Sequence, residues 1–153
     1  MGWWVSRCGS LSRTRNKMLY PSRTKYPKNR RKGLSNRGRT GGTQLLGFGR
    51  YGIRTCGAGR ISYRAIEAAR RASCRYFRRN GQIWVRVFAD VPVTSKPVGV
   101  RMGKGKGKPT GWFARVSTGQ IFEMDGVSFS DARQAAALAA QKLRLSTKFV
   151  YWS

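Results

Sequence analysis

No acidic residue occurs before Glu67, whereas sixteen lysines and arginines do. A stretch this one-sided in charge repels itself when made compact. It is also rich in glycine, serine and threonine and short of large apolar side chains, so it cannot build a core of its own. It is expected to become ordered, at least in part, on a polyanionic partner. The imbalance runs through the whole chain, with 32 Lys+Arg against 5 Asp+Glu and a formal net charge of +27 over 153 residues. A nucleic-acid backbone fits such a charge best, because each neutralised phosphate releases condensed counterions. An anionic membrane surface fits less well, and no run of about 18 apolar residues offers a spanning helix.

The residue types that are missing exclude other classes of function. There is no histidine. Acid–base chemistry would fall to Glu67, Asp90, Glu123, Asp125 and Asp131, or to a strongly perturbed lysine or tyrosine. None of these carboxylates sits in a recognisable catalytic pattern, and Glu123 and Asp125 beside Gly126 read as a strand end and turn. Cys8, Cys56 and Cys74 are far apart and lack C-x-x-C spacing. A structural zinc site is therefore not expected, and free thiols in a reducing compartment are. The stretch from Gly47 to Gly52 formally matches G-x-G-x-x-G, but it neither follows a hydrophobic strand nor opens a helix, so no dinucleotide site is expected there. The chain reads as neither an enzyme nor a cofactor- or metal-binding protein.

Three regions are expected. Residues 1–17, rich in Arg and Ser and free of acids, read as an N-terminal extension or transit-like segment. Residues 18–43 form a basic arm kept extended by Pro21 and Pro27. Its cations Arg23, Lys25, Lys28, Arg30, Arg31, Lys32, Arg37 and Arg39 are candidate phosphate ligands, and Tyr20 and Tyr26 among them could stack on bases or ribose. A nuclear-localisation signal is a competing reading of residues 28–32. Residues 44–153 carry the globular domain.

Within that domain, residues 50–55 alternate as a short, glycine-interrupted strand or hairpin, with Arg50 and Arg54, and Arg60 follows. A helix is expected over 63–80, capped by Ser62 and closed by Asn80-Gly81. Ile66, Ala69, Ser73, Tyr76 and Phe77 share its apolar face. Arg64, Glu67, Arg71, Arg75 and Arg78 share the opposite one, with Glu67 and Arg71 as an i,i+4 pair. Residues 83–88 read as a strand and 90–97 as a turn or loop; 98–102 extend briefly. Then comes a Gly/Lys loop at 103–109, in which Lys104, Lys106 and Lys108, with Arg101, place cations on a backbone that glycine lets approach a polyanion. Residues 112–117 and 120–124 read as a β-hairpin turning at Thr118-Gly119. An S-x-x-D capping box at 128–131 opens an alanine-rich helix running to about Leu143, with Ala132, Ala136, Ala139 and Leu143 on one face. A last strand spans 147–152. The order implies an α+β domain: a largely antiparallel sheet with two helices on one face.

Five segments, in this order, resemble the bacterial-type ribosomal protein L16 family: MLYPSRTK (18–25), IEAARRA (66–72), IWVRVF (83–88), KPVGVRMGKGKG (96–107) and EMDGV (123–127). Three more, at 63–66, 77–81 and 148–153, look like plant or algal mitochondrial members. Residues 1–17 precede the usual start of the family, and 33–47 fit it less well. The resemblance implies a hammerhead-like α+β fold and a non-enzymatic component of the large ribosomal subunit. It implies contact with 23S-type rRNA near the A-site tRNA and the peptidyl-transferase centre, with neighbouring large-subunit proteins as further partners and no homo-oligomer. It implies that Arg101, Lys104, Lys106 and Lys108, together with Arg23, Lys25 and Lys28, reach toward rRNA and tRNA. A mitochondrial location is expected, with plastid or bacterial cytoplasm as alternatives. A free RNA chaperone or DNA-compacting protein is the main rival, and an RNA-modifying enzyme the second.

Overall fold

The computed structural model describes residues 4–7, 19–29, 45–78 and 80–152. Two helices pack against each other. α1 (Tyr63–Tyr76) opens at Ser62, whose Oγ accepts the Ala65 N–H at 3.2 Å. α2 (Phe129–Leu143) opens at Ser128, whose Oγ accepts the Asp131 N–H at 3.2 Å and donates to Asp131 Oδ2 at 2.7 Å. Both caps satisfy backbone donors that would otherwise face solvent. The buried stripe of α1 holds Ile66, Ala69 and Ser73; that of α2 holds Ala132, Ala135, Ala136, Ala139 and Leu143. Side chains this small let the helices approach until Ser73 Oγ lies 3.5 Å from the Ala135 carbonyl of α2.

The strands are β1 (Trp4–Arg7), β2 (Tyr51–Thr55), β3 (Gly59–Ser62), β4 (Gln82–Val85), β5 (Val91–Ser95), β6 (Lys108–Val116), β7 (Gly119–Asp125) and β8 (Thr147–Tyr151). Among the described residues they form two antiparallel sheets, a larger one ordered β1-β4-β7-β2-β8 and a smaller one ordered β3-β6-β5. The core joins Ile53, Ile83, Phe122 and Met124 of the larger sheet, Ile61 and Ala114 of the smaller one, and the buried stripes of both helices.

The α+β class, the antiparallel strands and the two helices agree with expectation. The strands are divided between two sheets, however, and the expected hairpin at 112–124 does not form. β6 pairs with β3 and β5, while β7 pairs with β2 and β4. The crossing between the sheets is fixed by Thr55, whose Oγ1 donates to the Ser117 carbonyl at 2.8 Å and the Gly119 carbonyl at 3.1 Å. Alternation reveals a strand but not its partner, and Thr118-Gly119 imitates a two-residue turn.

Residues 91–95, expected as turn, form β5 instead. Pro92 is tolerated because β5 is an edge strand. Residues 98–102, expected to extend, belong to the connection between β5 and β6. Residues 4–7, expected within a terminal extension, form an edge strand on β4. α1 ends at Tyr76, short of the expected Asn80, and the chain then reverses through positive φ at Arg78 (48°) and Gly81 (78°). The strand expected at 83–88 spans Gln82–Val85.

Candidate nucleic-acid interface

The Gly/Lys loop is the tip of the β5–β6 hairpin, leaving the smaller sheet where Ser95 pairs with Lys108. Lys104 sits in the left-handed region at φ 52°, between Gly103 at 98° and Gly105 at 82°. Side chains with a Cβ rarely adopt such angles, so the flanking glycines make this bend feasible. Arg101, Lys104, Lys106 and Lys108 are all exposed. Lys96 Nζ donates back to the Gly103 carbonyl, closing the loop's base.

The described part of the arm docks on this tip. Lys28 Nζ donates to the Lys106 carbonyl at 2.8 Å, and Lys106 Nζ donates to the Asn29 carbonyl. The arm's base is held at the other end, where Ala89 N–H donates to the Leu19 carbonyl at 3.2 Å. The Tyr20 ring packs against Tyr63 and Trp112, with centroids 5.0 and 6.1 Å away. Tyr20 is therefore an internal anchor, not the free stacking ring expected from sequence. Tyr26 remains 71% exposed, with Lys25 Nζ 5.5 Å from its centroid. Arg23, Lys25 and Lys28 are exposed, and of these Lys28 meets the loop, while Arg30, Arg31, Lys32, Arg37 and Arg39 lie outside the described residues.

The remaining candidates separate into neighbourhoods. Arg60 of β3 stands opposite Arg115 of β6, with its guanidinium carbon 5.2 Å from the Phe113 ring centroid. Like charges directly opposite on a ladder are destabilising. Among the described residues neither arginine makes an ion pair. Arg115 was not singled out from sequence, because its pairing with Arg60 depends on a register that spacing does not reveal. Arg64 is exposed and donates to the Tyr63 hydroxyl at 3.1 Å. Arg75 and Arg78 border a groove between the ends of α1 and α2, shared with Lys142 and Gln141. Arg50 and Arg54 lie apart from these, at and within β2.

Arg71 is committed differently. Its Nε donates to Glu67 Oε1 at 2.7 Å, the expected i,i+4 pair, and Arg70 shares the same carboxylate at 2.7 Å. Burial pushes the Glu67 carboxyl up, but the hydrogen bonds and charges of Arg70 and Arg71 outweigh it and hold it below its usual value. A folded-state value below the unfolded one stabilises above the unfolded value, and the gain is lost as pH falls through the folded one. The Glu67 carboxyl signal, followed by NMR, is therefore expected to titrate at lower pH than a free glutamate. A titration at or above the ordinary value would contradict the pairing.

Glu123, expected as part of a strand end, is a structural keystone inside β7. It is fully buried. Its Oε2 accepts the backbone N–H groups of Gly47, Phe48 and Gly49 at 3.1, 2.7 and 3.3 Å, and its Oε1 accepts Arg86 Nη1. Arg86 Nη1 also donates to the Leu45 carbonyl at 3.0 Å. The glycine motif is thus a cradle of N–H groups, of the kind that binds anions, closed around a carboxylate of its own chain. A Cβ at Gly49 would lie 2.5 Å from the Met124 carbonyl oxygen. Gly49→Ala is expected to cost about 1–3 kcal/mol, since that neighbour is backbone and cannot swing away. Urea unfolding of the purified chain checks it, and an unchanged midpoint would refute the close fit.

Residues 21–150 match the family described as ribosomal protein L16p/L10e. The chain belongs to this ribosomal protein family. It is 64% identical to the large ribosomal subunit protein uL16m of Arabidopsis thaliana, over 97% of this chain and 88% of that one. It is 66% identical to uL16m of Marchantia polymorpha, over 89% of this chain and all of that one. Identity to the large ribosomal subunit protein uL16 of Xanthobacter autotrophicus is 51%, over 87% and 96% of the two chains. This L16 family member is accordingly a ribosomal protein and not an enzyme. Its kinship with plant uL16m proteins assigns it to the mitochondrial ribosome.

Proposed function

We propose that the chain is a structural constituent of the large subunit that binds 23S-type rRNA near the A-site tRNA and the peptidyl-transferase centre, beside other large-subunit proteins and as a single copy. The reciprocal contact between Lys28 and Lys106 carries this reading. It gathers the cations of two segments distant in sequence onto one exposed hairpin tip, where a polyanion must lie if their repulsion is to be overcome. Residues 18–43 act as the arm and 44–153 as the domain that positions it. Ordering the arm costs on the order of 1–2 kcal/mol per residue in backbone entropy. Charge-assisted contacts to phosphate offset that cost. Such contacts follow RNA shape and backbone, not base sequence.

Sedimentation separates this reading from a free RNA chaperone. The chain should travel with the large subunit of isolated mitochondrial ribosomes through a sucrose gradient, whereas a chaperone would remain in the light fractions. Replacing Arg71 and Arg75 by alanine together should lower occupancy in purified subunits. Most of the loss should come from Arg75, because Arg71 is already held by Glu67. Normal occupancy in the double variant would count against α1 as an RNA-facing helix.

A further inference from the structure

The far edge of the larger sheet carries positive charge that neither the arm nor the loop accounts for. β2 and β8 place Arg54 directly opposite Lys148. The backbone bond from Trp152 N–H to the Arg50 carbonyl, 2.8 Å, extends that register and sets Arg50 opposite Trp152. Opposed residues of an antiparallel pair share a face, as do alternate residues along a strand. Arg50, Arg54, Lys148 and Trp152 therefore occupy one face. It is the face turned away from α2, because the alternate residues Tyr51, Phe149 and Tyr151 pack around Phe129 at the start of that helix. Arg50 and Lys148 are exposed, Trp152 is 68% exposed, and Arg54 is half-buried.

Two cations directly opposite one another weaken a ladder. Among the described residues none of these three cations makes an ion pair. An indole left in water also forgoes burial of its apolar ring. Both defects vanish if a nucleic-acid strand lies on the face, with phosphates against the cations and a base against the indole.

We propose that this face binds an unpaired stretch of large-subunit rRNA, with one base stacked on Trp152 and the flanking phosphates held by Arg50, Arg54 and Lys148. The inference rests on the reading that the chain is part of the large subunit. A protein strand could add to the edge of β8 that is unpaired among the described residues, but it would use backbone groups and would leave the opposed cations without a counter-charge. Charge complementarity therefore selects RNA.

The test is chemical footprinting of rRNA in purified mitochondrial large subunits carrying the wild-type chain, W152A, W152F or the double variant R54Q/K148Q. In W152A particles at near wild-type occupancy, one or two unpaired bases should gain at least about fivefold in reactivity to dimethyl sulfate, as loss of a base–aromatic stack implies. W152F should keep them protected, and R54Q/K148Q should expose the adjoining sugar–phosphate backbone to hydroxyl radicals. Unchanged footprints in W152A and R54Q/K148Q at full occupancy would overturn the proposal while leaving the subunit assignment intact. So would a cross-link from position 152 to a neighbouring protein without any change in RNA reactivity. Absence of the wild-type chain from the subunits would instead defeat the assignment itself. If W152A fails to incorporate, protection in W152F with exposure in R54Q/K148Q supports the platform, and the reverse pattern refutes it.

Discussion

Glu123→Ala is expected to destabilise the chain by about 3–5 kcal/mol, the cost of breaking a buried ion pair from one side. The carboxylate is fully buried, so its removal would break the ion pair with Arg86 and the hydrogen bonds it accepts from three backbone N–H groups. The Gly49 N–H is buried, so losing this acceptor there carries a desolvation penalty of its own. Folded domains hold about 5–15 kcal/mol in total, so this loss would leave little margin. Glu123→Gln should fall between the wild type and alanine, since its amide oxygen still accepts N–H bonds but supplies no charge for Arg86. Removing both partners, as Glu123→Leu with Arg86→Met, should recover only part of the loss, because the N–H groups of residues 47–49 would still lack the carboxylate that gathers them. Urea unfolding with an unchanged slope provides the measurement. A Glu123→Ala chain within about 1 kcal/mol of wild type would contradict the keystone role.

The triple substitution of Lys104, Lys106 and Lys108 by glutamine should behave in the opposite way. All three side chains are exposed on the hairpin tip and contribute nothing to the apolar core, so the unfolding midpoint should barely move. RNA binding should change strongly. Each phosphate left without its cation removes roughly 0.7–0.9 from the slope of log affinity against log salt, so the slope should become shallower by about two to three. Loss of Lys106 also releases the Asn29 carbonyl, loosening the arm where it meets the loop. In assembled ribosomes, A-site tRNA accommodation should fall more than subunit occupancy does, because the arm and α1 retain the other cations proposed to bind RNA. An unchanged salt slope together with an unchanged rate of tRNA binding would refute the placement of the tip.

Much of the fold could be read from local signals. Ser62 and Ser128 cap the helices that their spacing announced, and the alanine face of α2 is buried as its period requires. What sequence did not reveal is pairing between distant segments. The strands β6 and β7 follow one another so closely that a hairpin was the natural expectation. Their separation lies in pairing with distant strands, β6 with β3 and β5 and β7 with β2 and β4, and Thr55, far away in sequence, bonds to the crossing between them.

The candidate interface was legible in its charge but not in its arrangement. Charge marked the arm and the loop, but only the fold brings Lys28 against Lys106. Arg115 and Lys148 escaped notice because a cation's significance here depends on which residue stands across the ladder. Glu123 escaped for a related reason. A carboxylate beside a turn is ordinarily solvated, and nothing local shows that a glycine-rich strap 74–76 residues away folds over it. Tyr20 illustrates the reverse error: its place among cations suggested RNA, whereas packing against Tyr63 and Trp112 makes it the fixed end of the arm.

Placement of the hairpin tip against RNA can be measured directly with a photo-reactive side chain at position 104, in large subunits isolated from mitochondria. Cross-links to large-subunit rRNA nucleotides that border the A-site tRNA are the expected result. Cross-links confined to protein, or to rRNA remote from the A site, would contradict the proposed role.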